Sequence, residues 1–498
     1  MPRKLLFTVL IILLLSPVWA RNFSEYVKSF SLSNGMRFLV YERPGIPTFA
    51  GLIMAQVGSV DERNGETGLA HFFEHLAFKG TPVMGTRDFE KEKAILDKMD
   101  VIGDQLSAEY LKGKDADQGK ITAFNEQLKE MQKETLQYVV KDELDKIYSE
   151  NGGDFLNAST SNDSTQYFVM LPSNRLELWF LIESERFKYP VLREFYSERN
   201  VIAEERRMFE DNNPTGAVME EFYNLAFTIH PYRHSVVGYM EDIQSYTTSK
   251  ALNFYRTFYI PNNLVATIVG EVKFEEVKRL AEVYFGDIPR GPEPPRPLFI
   301  EPKQKGERRT KVLFDAQPRL FIGYHMPGYR ERGNLVLEVI SMILSQGETS
   351  RFQTDLVNQK MLALTAYAYE NSLGVRYPSL FQVYALPRHP HTTAELETAI
   401  YQHLERLKTE PVKAQELTKV INQAEASLNR SIGFAENVFL AMRIARNVLL
   451  YDDLDNEAKR VEAMKTVTPQ EIMDTAQQIF TEENRTVAVQ EKKAEGGK

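Results

Sequence analysis

Apolar and polar positions along Phe30 to Tyr41 predict two strands around the Asn34-Gly35 turn, and Thr48 to Val57 predicts a third. Asn-Gly between short apolar runs is the strongest local hairpin signal. The third strand leads through Gly58-Ser59 and the polar loop Asp61 to Thr67 into an apolar-dominated helix over Gly68 to Thr81, with Thr67 and Gly68 placed to cap its start and Gly80 to end it. From about 88 to 148 the period becomes helical. Leu96, Met99, Ile102, Leu106 and Tyr110 form one stripe, and Ile121, Phe124, Leu128, Met131 and Tyr138 a second, separated by Gly113 to Gly119. This reads as a charged helical hairpin, most simply a solvated face and otherwise a lid or a docking arm.

Asn157 to Thr160 and Thr165 to Leu171 predict strands around the Ser161 to Ser164 turn. Ser173 is expected to cap a helix to Phe187, and a second helix is expected from about Tyr196 to Asp211. Helix, strand and helix follow at Ala251 to Phe258, Leu264 to Val269 and Phe274 to Phe285, before a proline-rich linker at Pro289 to Pro302. Beyond the linker the chain repeats itself. Thr247 to Ile268 and Thr468 to Val489 share a helix-turn-strand plan at one offset (468 − 247 = 489 − 268 = 221), with Asn263 opposite Asn484 and Tyr259 opposite Phe480. Arg319 to His325 predicts a strand before a helix at Asn334 to Leu344 that carries no histidine pair, so the second half reads as a duplicate without the chemistry of the first.

That chemistry lies on the Gly68 to Thr81 helix. His71 and His75 are four residues apart and share a face with Glu74. Two neutral imidazoles suit zinc, and a carboxylate beside them that does not ligate can take a proton from water. With only 8 histidines in the chain, a merely structural His-x-x-Glu-His is the minor alternative. Glu198 and Glu205, seven apart, share one face of the Tyr196 to Asp211 helix, whereas Glu204 points away. We therefore expect Glu205 as the third ligand, with Glu198 behind it. His230 and His234, in a proline-containing loop, read as structural.

Composition narrows the setting. The 498 residues, 43% hydrophobic and 26% charged, suffice for two or more cores, and a formal charge of −9 argues against nucleic-acid binding. Arg3 and Lys4 before the apolar run Leu5 to Leu15, then Val18-Trp19-Ala20, read as a cleaved signal peptide over 1–20, so the chain is expected to be exported, periplasmic or secreted, without stable membrane insertion. A count of 0 cysteines excludes disulfides, thiolate zinc and a thiol nucleophile.

Leu32-Ser33-Asn34-Gly35, Gly58-Ser59, Gly68 to Thr81, Leu156 to Thr160, Glu198 to Glu205 and Phe258 to Asn263 together resemble the pitrilysin/insulinase (M16) family of inverted-motif zinc metallopeptidases, in its shorter branch with the mitochondrial processing peptidase β subunit. The resemblance implies an α+β chain of two homologous α/β-sandwich domains, the LuxS/MPP-like metallohydrolase fold, forming half of a clamshell. It places the zinc domain at 21–288 with the insertion at about 88–148, the linker at 289–306, the second domain at 307–490 and a polar tail at 491–498. It implies one zinc ion per chain on His71, His75 and Glu205, Glu74 as general base, and Glu198 in support. Asn157 and Ala158, which from pattern alone are equally a structural strand, would hold substrate backbone at a sheet edge.

Two features depart from the family pattern. His75 and Glu205 lie 130 positions apart (205 − 75), more than is usual, with the helical insertion between them. Such an insertion is tolerable where its ends are close. The family's basic and tyrosine pair from the second domain is matched only by Arg376 and Tyr384, at an imperfect spacing. The expected activity is zinc-dependent cleavage of unfolded peptides or small proteins, by a homodimer or a heterodimer with another chain of this family. The alternative is a non-catalytic or partner-dependent subunit that binds peptides.

Overall fold

The computed structural model describes residues 22–296, 300–433 and 436–493. The expected leader over 1–20 and most of the polar tail lie outside them. Strands β1 (Val27–Ser31), β2 (Arg37–Glu42) and β3 (Thr48–Ala55) precede helix α1 (Leu69–Leu76). Helices α2 (Phe89–Tyr110), α3 (Gln118–Thr135) and α4 (Glu143–Glu150) fill the inserted stretch, and β4 (Asp154–Thr160) and β5 (Thr165–Pro172) follow. Next come α5 (Leu176–Lys188), α6 (Phe195–Arg206), α7 (Pro214–Ala226), α8 (Met240–Gln244), α9 (Thr248–Phe258), β6 (Leu264–Gly270) and α10 (Phe274–Phe285). The second half runs β7 (Arg308–Leu313), β8 (Arg319–His325), α11 (Arg332–Ser345), β9 (Ala363–Tyr369) and β10 (Leu380–Pro387). It ends with α12 (Thr393–Thr409), α13 (Ala414–Gly433), α14 (Asn437–Tyr451), α15 (Asn456–Met464), α16 (Pro469–Ile479) and β11 (Arg485–Glu491).

Three expectations need correction. The insertion holds three helices rather than a hairpin of two: α3 ends at Thr135, and the chain restarts as α4 after Asp142, which takes a left-handed φ of 53°. Ser173 opens a short 3-10 turn instead of capping α5, and its buried hydroxyl has no hydrogen-bond partner among the described residues. The helix expected to reach Asp211 leaves α geometry at Arg206, and Arg207–Asp211 widens into a π turn.

The sheets show the duplication in their hydrogen bonding. The first has the order β1-β2-β6-β3-β5-β4 and the second β7-β11-β8-β10-β9. In each, one parallel pair (β2 with β6, β7 with β11) adjoins antiparallel neighbours. The second sheet is therefore the first without β1. Local detail repeats at the offset of 221: Thr247 and Thr468 each accept a bond from the amide three residues on, and Asn263 and Asn484 each donate to the carbonyl five residues back.

Strand β3 is buried nearly end to end, so it reads as a continuous apolar run rather than an alternation. Phe49, Ile53 and Ala55 join the core beneath α1, α5 and α10. Ala50, Leu52 and Met54 face the opposite side, where α14 of the second half covers them with Leu440, Ile444 and Val448. The exchange is mutual: α7 of the first half lies on β7, β8 and β11 and seals that sheet with Val218 and Phe222. Each half thus closes the other's apolar sheet face, which couples them into one structure. No helix of the described residues is long and apolar enough to cross a membrane.

Candidate metal centre

Helix α1 is mounted by its apolar face. Phe72 packs its ring against Phe195 and Tyr246 at centroid distances of 4.9 and 5.1 Å, and Phe73 against Tyr255 and Tyr259 at 5.0 and 4.5 Å. Such large buried rings fix the helix about its axis. His71, Glu74 and His75 are left half-buried on the opposite face. The start of α1 is held differently from the expectation. The Thr67 hydroxyl donates to Asp242 at 2.6 Å, and the amides of Gly68 and Ala70 donate instead to the buried Glu62 carboxylate at 2.7 and 2.8 Å. A carboxylate at a helix N-terminus also meets the positive end of the helix dipole.

Helix α6 packs on α1 and brings its two glutamates to the histidines. The Nε2 atoms of His71 and His75 each stand 3.7 Å from Glu205 Oε2. One donor atom from each of the three residues lies within 4.8 Å of the others. Separations of 3.7 Å are too long for hydrogen bonds, yet two arms of about 2.1 Å to one ion can span them. The donor set of two imidazoles and one carboxylate, the three residues that converge among the described ones, fits zinc in a catalytic setting. Behind it, Glu198 Oε2 lies 3.5 Å from His75 Nδ1, and Glu198 Oε1 accepts from the Lys79 ammonium at 2.6 Å. Sequence reading missed Lys79, whose signal was its place one turn beyond His75.

Glu74 points toward β4, where the Thr160 hydroxyl donates to its Oε2 at 2.5 Å. Burial raises the Glu74 carboxyl above its ordinary range although this bond opposes it. Strand β4 forms the edge of the first sheet, with Asn157 exposed and Ala158 buried, and the Ala158 amide donates to Asn157 Oδ1 at 2.8 Å. The cluster therefore sits beside a sheet edge.

Other residues singled out from sequence have partners of their own. Arg376 clasps Asp61 with two bonds of 2.7 and 2.9 Å, and its backbone amide donates to Asp163. Tyr384, on β10, packs its ring at a tilt against Phe321, centroids 4.9 Å apart. Neither is hydrogen-bonded or ion-paired to His71, Glu74, His75 or Glu205 among the described residues, because the Arg376 guanidinium is taken by a buried carboxylate. His230 and His234 are buried, His230 Nδ1 accepting from the Tyr232 amide.

The duplicate helix shows what replaced the cluster. Ser341 on α11 donates to Glu370 at the end of β9, as Thr160 at the end of β4 donates to Glu74. That match puts Ser341 in the place of Glu74, Glu338 in that of His71 and Met342 in that of His75. Arg460 bonds the Glu338 carboxylate, so an internal ion pair stands where the first half has its open donors.

Burial, then the neighbouring His75, pushes His71 of the metal-free protein down from 6.5 to about 4. Its stabilising contribution is full above 6.5 and is lost as pH falls from 6.5 to about 4, on the order of 3 kcal/mol. Burial alone would lower His75 too, but Glu198, Glu205 and Glu74 outweigh it and raise that residue, so its contribution is lost in the other direction, as pH rises through the raised value. The thermal midpoint of metal-free His71→Gln is therefore expected to fall less than that of the wild type over the acid range. Equal slopes would mean that burial does not keep His71 neutral.

Comparisons with known proteins agree with this architecture. Residues 41–109 and 117–238 match the family model described as insulinase (peptidase family M16), and residues 245–424 match the peptidase M16 inactive domain. A zinc protease PqqE of Helicobacter pylori is 28% identical over 429 residues, spanning 84% of this chain and 83% of that protein. A crystal structure of a protease from the same organism superimposes with a TM-score of 0.76 at 25% identity, covering 93% of this chain and 99% of that one. The periplasmic protease PqqL of Escherichia coli, at 16% identity and a TM-score of 0.70, shares the fold over 94% of this chain but only 48% of its own. With both halves matched by its models, and with the two-sheet fold of its solved members, this chain belongs to the insulinase family, peptidase family M16.

Proposed function

We propose that this chain is a zinc-dependent endopeptidase acting on unfolded peptides or small proteins. The observation that carries the reading is the convergence of His71 and His75 on Glu205 at 3.7 Å beside a half-buried glutamate and a sheet edge. Zinc held by these three residues supplies Lewis acidity, which acidifies water and polarises an amide carbonyl. Glu74 takes the proton of the attacking water. Glu74 then passes that proton to the leaving amine. Thr160 fixes one Glu74 oxygen and leaves the other for the proton.

The edge strand selects for peptide over small esters, since an extended chain adds to β4 through its backbone. An incoming strand would replace the bond from the Ala158 amide to the Asn157 side chain with one to itself. We also propose export by the leader at 1–20, and pairing with a second chain of this family to close the chamber. Support for pairing comes from PqqL, about twice as long, of which this chain covers 48%. Where Arg376, paired with Asp61, and Tyr384 do not act on the substrate, a partner chain would supply the basic and tyrosine pair.

The test is metal removal. A chelator is expected to abolish cleavage of a quenched fluorescent peptide, and one equivalent of zinc to restore it, with elemental analysis reporting about one zinc per chain. Full cleavage by the metal-free protein would sink the reading.

A further inference from the structure

The insertion separates His75 from Glu205 along the chain, yet their donor atoms meet within 3.7 Å. A single buried side chain joins the strands of that path. Arg193 is 1% exposed and directly precedes Glu194 and α6. Its Nε and Nη2 donate to the two oxygens of Glu92, in the first turn of α2, at 2.5 and 2.9 Å. Nη1 donates to the carbonyls of Lys79 and Met84 at 2.5 and 3.2 Å, and Nη2 also to that of Thr81 at 3.3 Å. The turn leaving α1 is shaped to admit the guanidinium. Gly80 and Gly85 take φ of 93° and 82°, and a Cβ on Gly85 would come within 2.7 Å of Arg193 Nη1.

These bonds hold the backbone of Lys79, whose ammonium grips Glu198 at 2.6 Å and approaches Glu194 at 3.5 Å. Glu198 in turn faces His75 Nδ1. We propose that Arg193 and Glu92 are positioning residues for the metal centre, a buried clasp that sets zinc affinity by holding Lys79, and through it Glu198, against His75. The clasp ties the turn leaving α1 and the first turn of α2 to the residue just before Glu194 and α6, so the start of the inserted segment is part of the scaffold of the site. Lysine cannot replace Arg193, because one ammonium cannot bridge a bidentate carboxylate and three carbonyls on different sides. Removing Glu92 instead leaves a buried cation unpaired.

The inference rests on the zinc reading, and the experiment separates the two. Zinc affinity is measured by competition with a chromogenic chelator, and the thermal midpoint of the metal-free protein alongside, for wild type, Lys79→Met, Arg193→Lys, Glu92→Gln and the double variant Lys79→Met/Arg193→Lys. Lys79→Met is expected to weaken zinc by roughly 10–100-fold, as loss of a group supporting a ligand does. Arg193→Lys and Glu92→Gln are expected to weaken it by about tenfold or more, and the double variant to be no weaker than Lys79→Met alone, since both act on one bond. If Arg193→Lys does not fold, Glu92→Gln, which keeps the shape of the side chain, carries the test. Wild-type affinity in the clasp variants, with only the midpoint lowered, would overturn the clasp, as would losses that multiply in the double variant. A wild-type chain that binds no zinc would overturn the metal reading and the clasp with it.

Discussion

Glu74→Gln is expected to lower peptide cleavage by about 10²–10⁴-fold while zinc stays bound at the wild-type stoichiometry. The amide keeps the size of the carboxylate and can still accept from Thr160, whose hydroxyl lies 2.5 Å from Glu74 Oε2, so α1 and β4 stay joined. It cannot take a proton from water at any working pH. His71, His75 and Glu205 are untouched, and the change should fall on kcat with KM little altered, because peptide, in the proposed reading, adds to β4 rather than binding Glu74. Elemental analysis and steady-state kinetics on the same preparation decide it. Cleavage near the wild-type rate would remove Glu74 from its role, and loss of zinc together with activity would show that the carboxylate acts on the metal.

How legible this was in the sequence follows the range of the interactions involved. Helix α10 and strand β8 have the bounds that their patterns predict, Phe274–Phe285 and Arg319–His325, because each has its breakers within a few residues. The repeat was readable because it is built from local devices, a threonine cap and an asparagine that bonds five residues back. The third inserted helix is not evident in the sequence because α3 stops at Thr135 and α4 starts after the left-handed Asp142 with no glycine or proline between them. Gly68 is the N-cap of α1 as its place suggests, but Thr67 does not cap it, because a longer carboxylate, Glu62, reaches the first amides from across the loop.

The long-range layer was not legible. That α7 and α14 exchange sheets follows from shape complementarity between halves, and both helices look like ordinary amphipathic segments from their own residues. At the site, helical spacing alone put His71, Glu74 and His75 on one face, and the seven-residue spacing paired Glu198 with Glu205. Lys79, Arg193 and Glu92 escaped because an ion pair between residues about a hundred positions apart leaves no periodic trace.

Glu205 offers the sharpest test of that spacing argument. Glu205→Ala is expected to weaken zinc by more than about 100-fold, beyond the 10–100-fold typical of groups that merely support a ligand, and to take cleavage with it at ordinary zinc concentrations. Its carboxylate supplies the single anionic donor facing both Nε2 atoms at 3.7 Å, and without it two neutral imidazoles must hold a divalent cation alone. Glu204→Ala is the control. The neighbouring carboxylate is 73% exposed, turned to solvent and to Arg207, so zinc and activity should be unchanged. Glu198→Gln should fall between the two, keeping the metal more weakly, since it touches His75 rather than the common point. An order in which Glu198 costs more than Glu205 would exchange their roles, and equal effects of Glu204 and Glu205 would mean that α6 does not present the face toward α1 that its packing indicates.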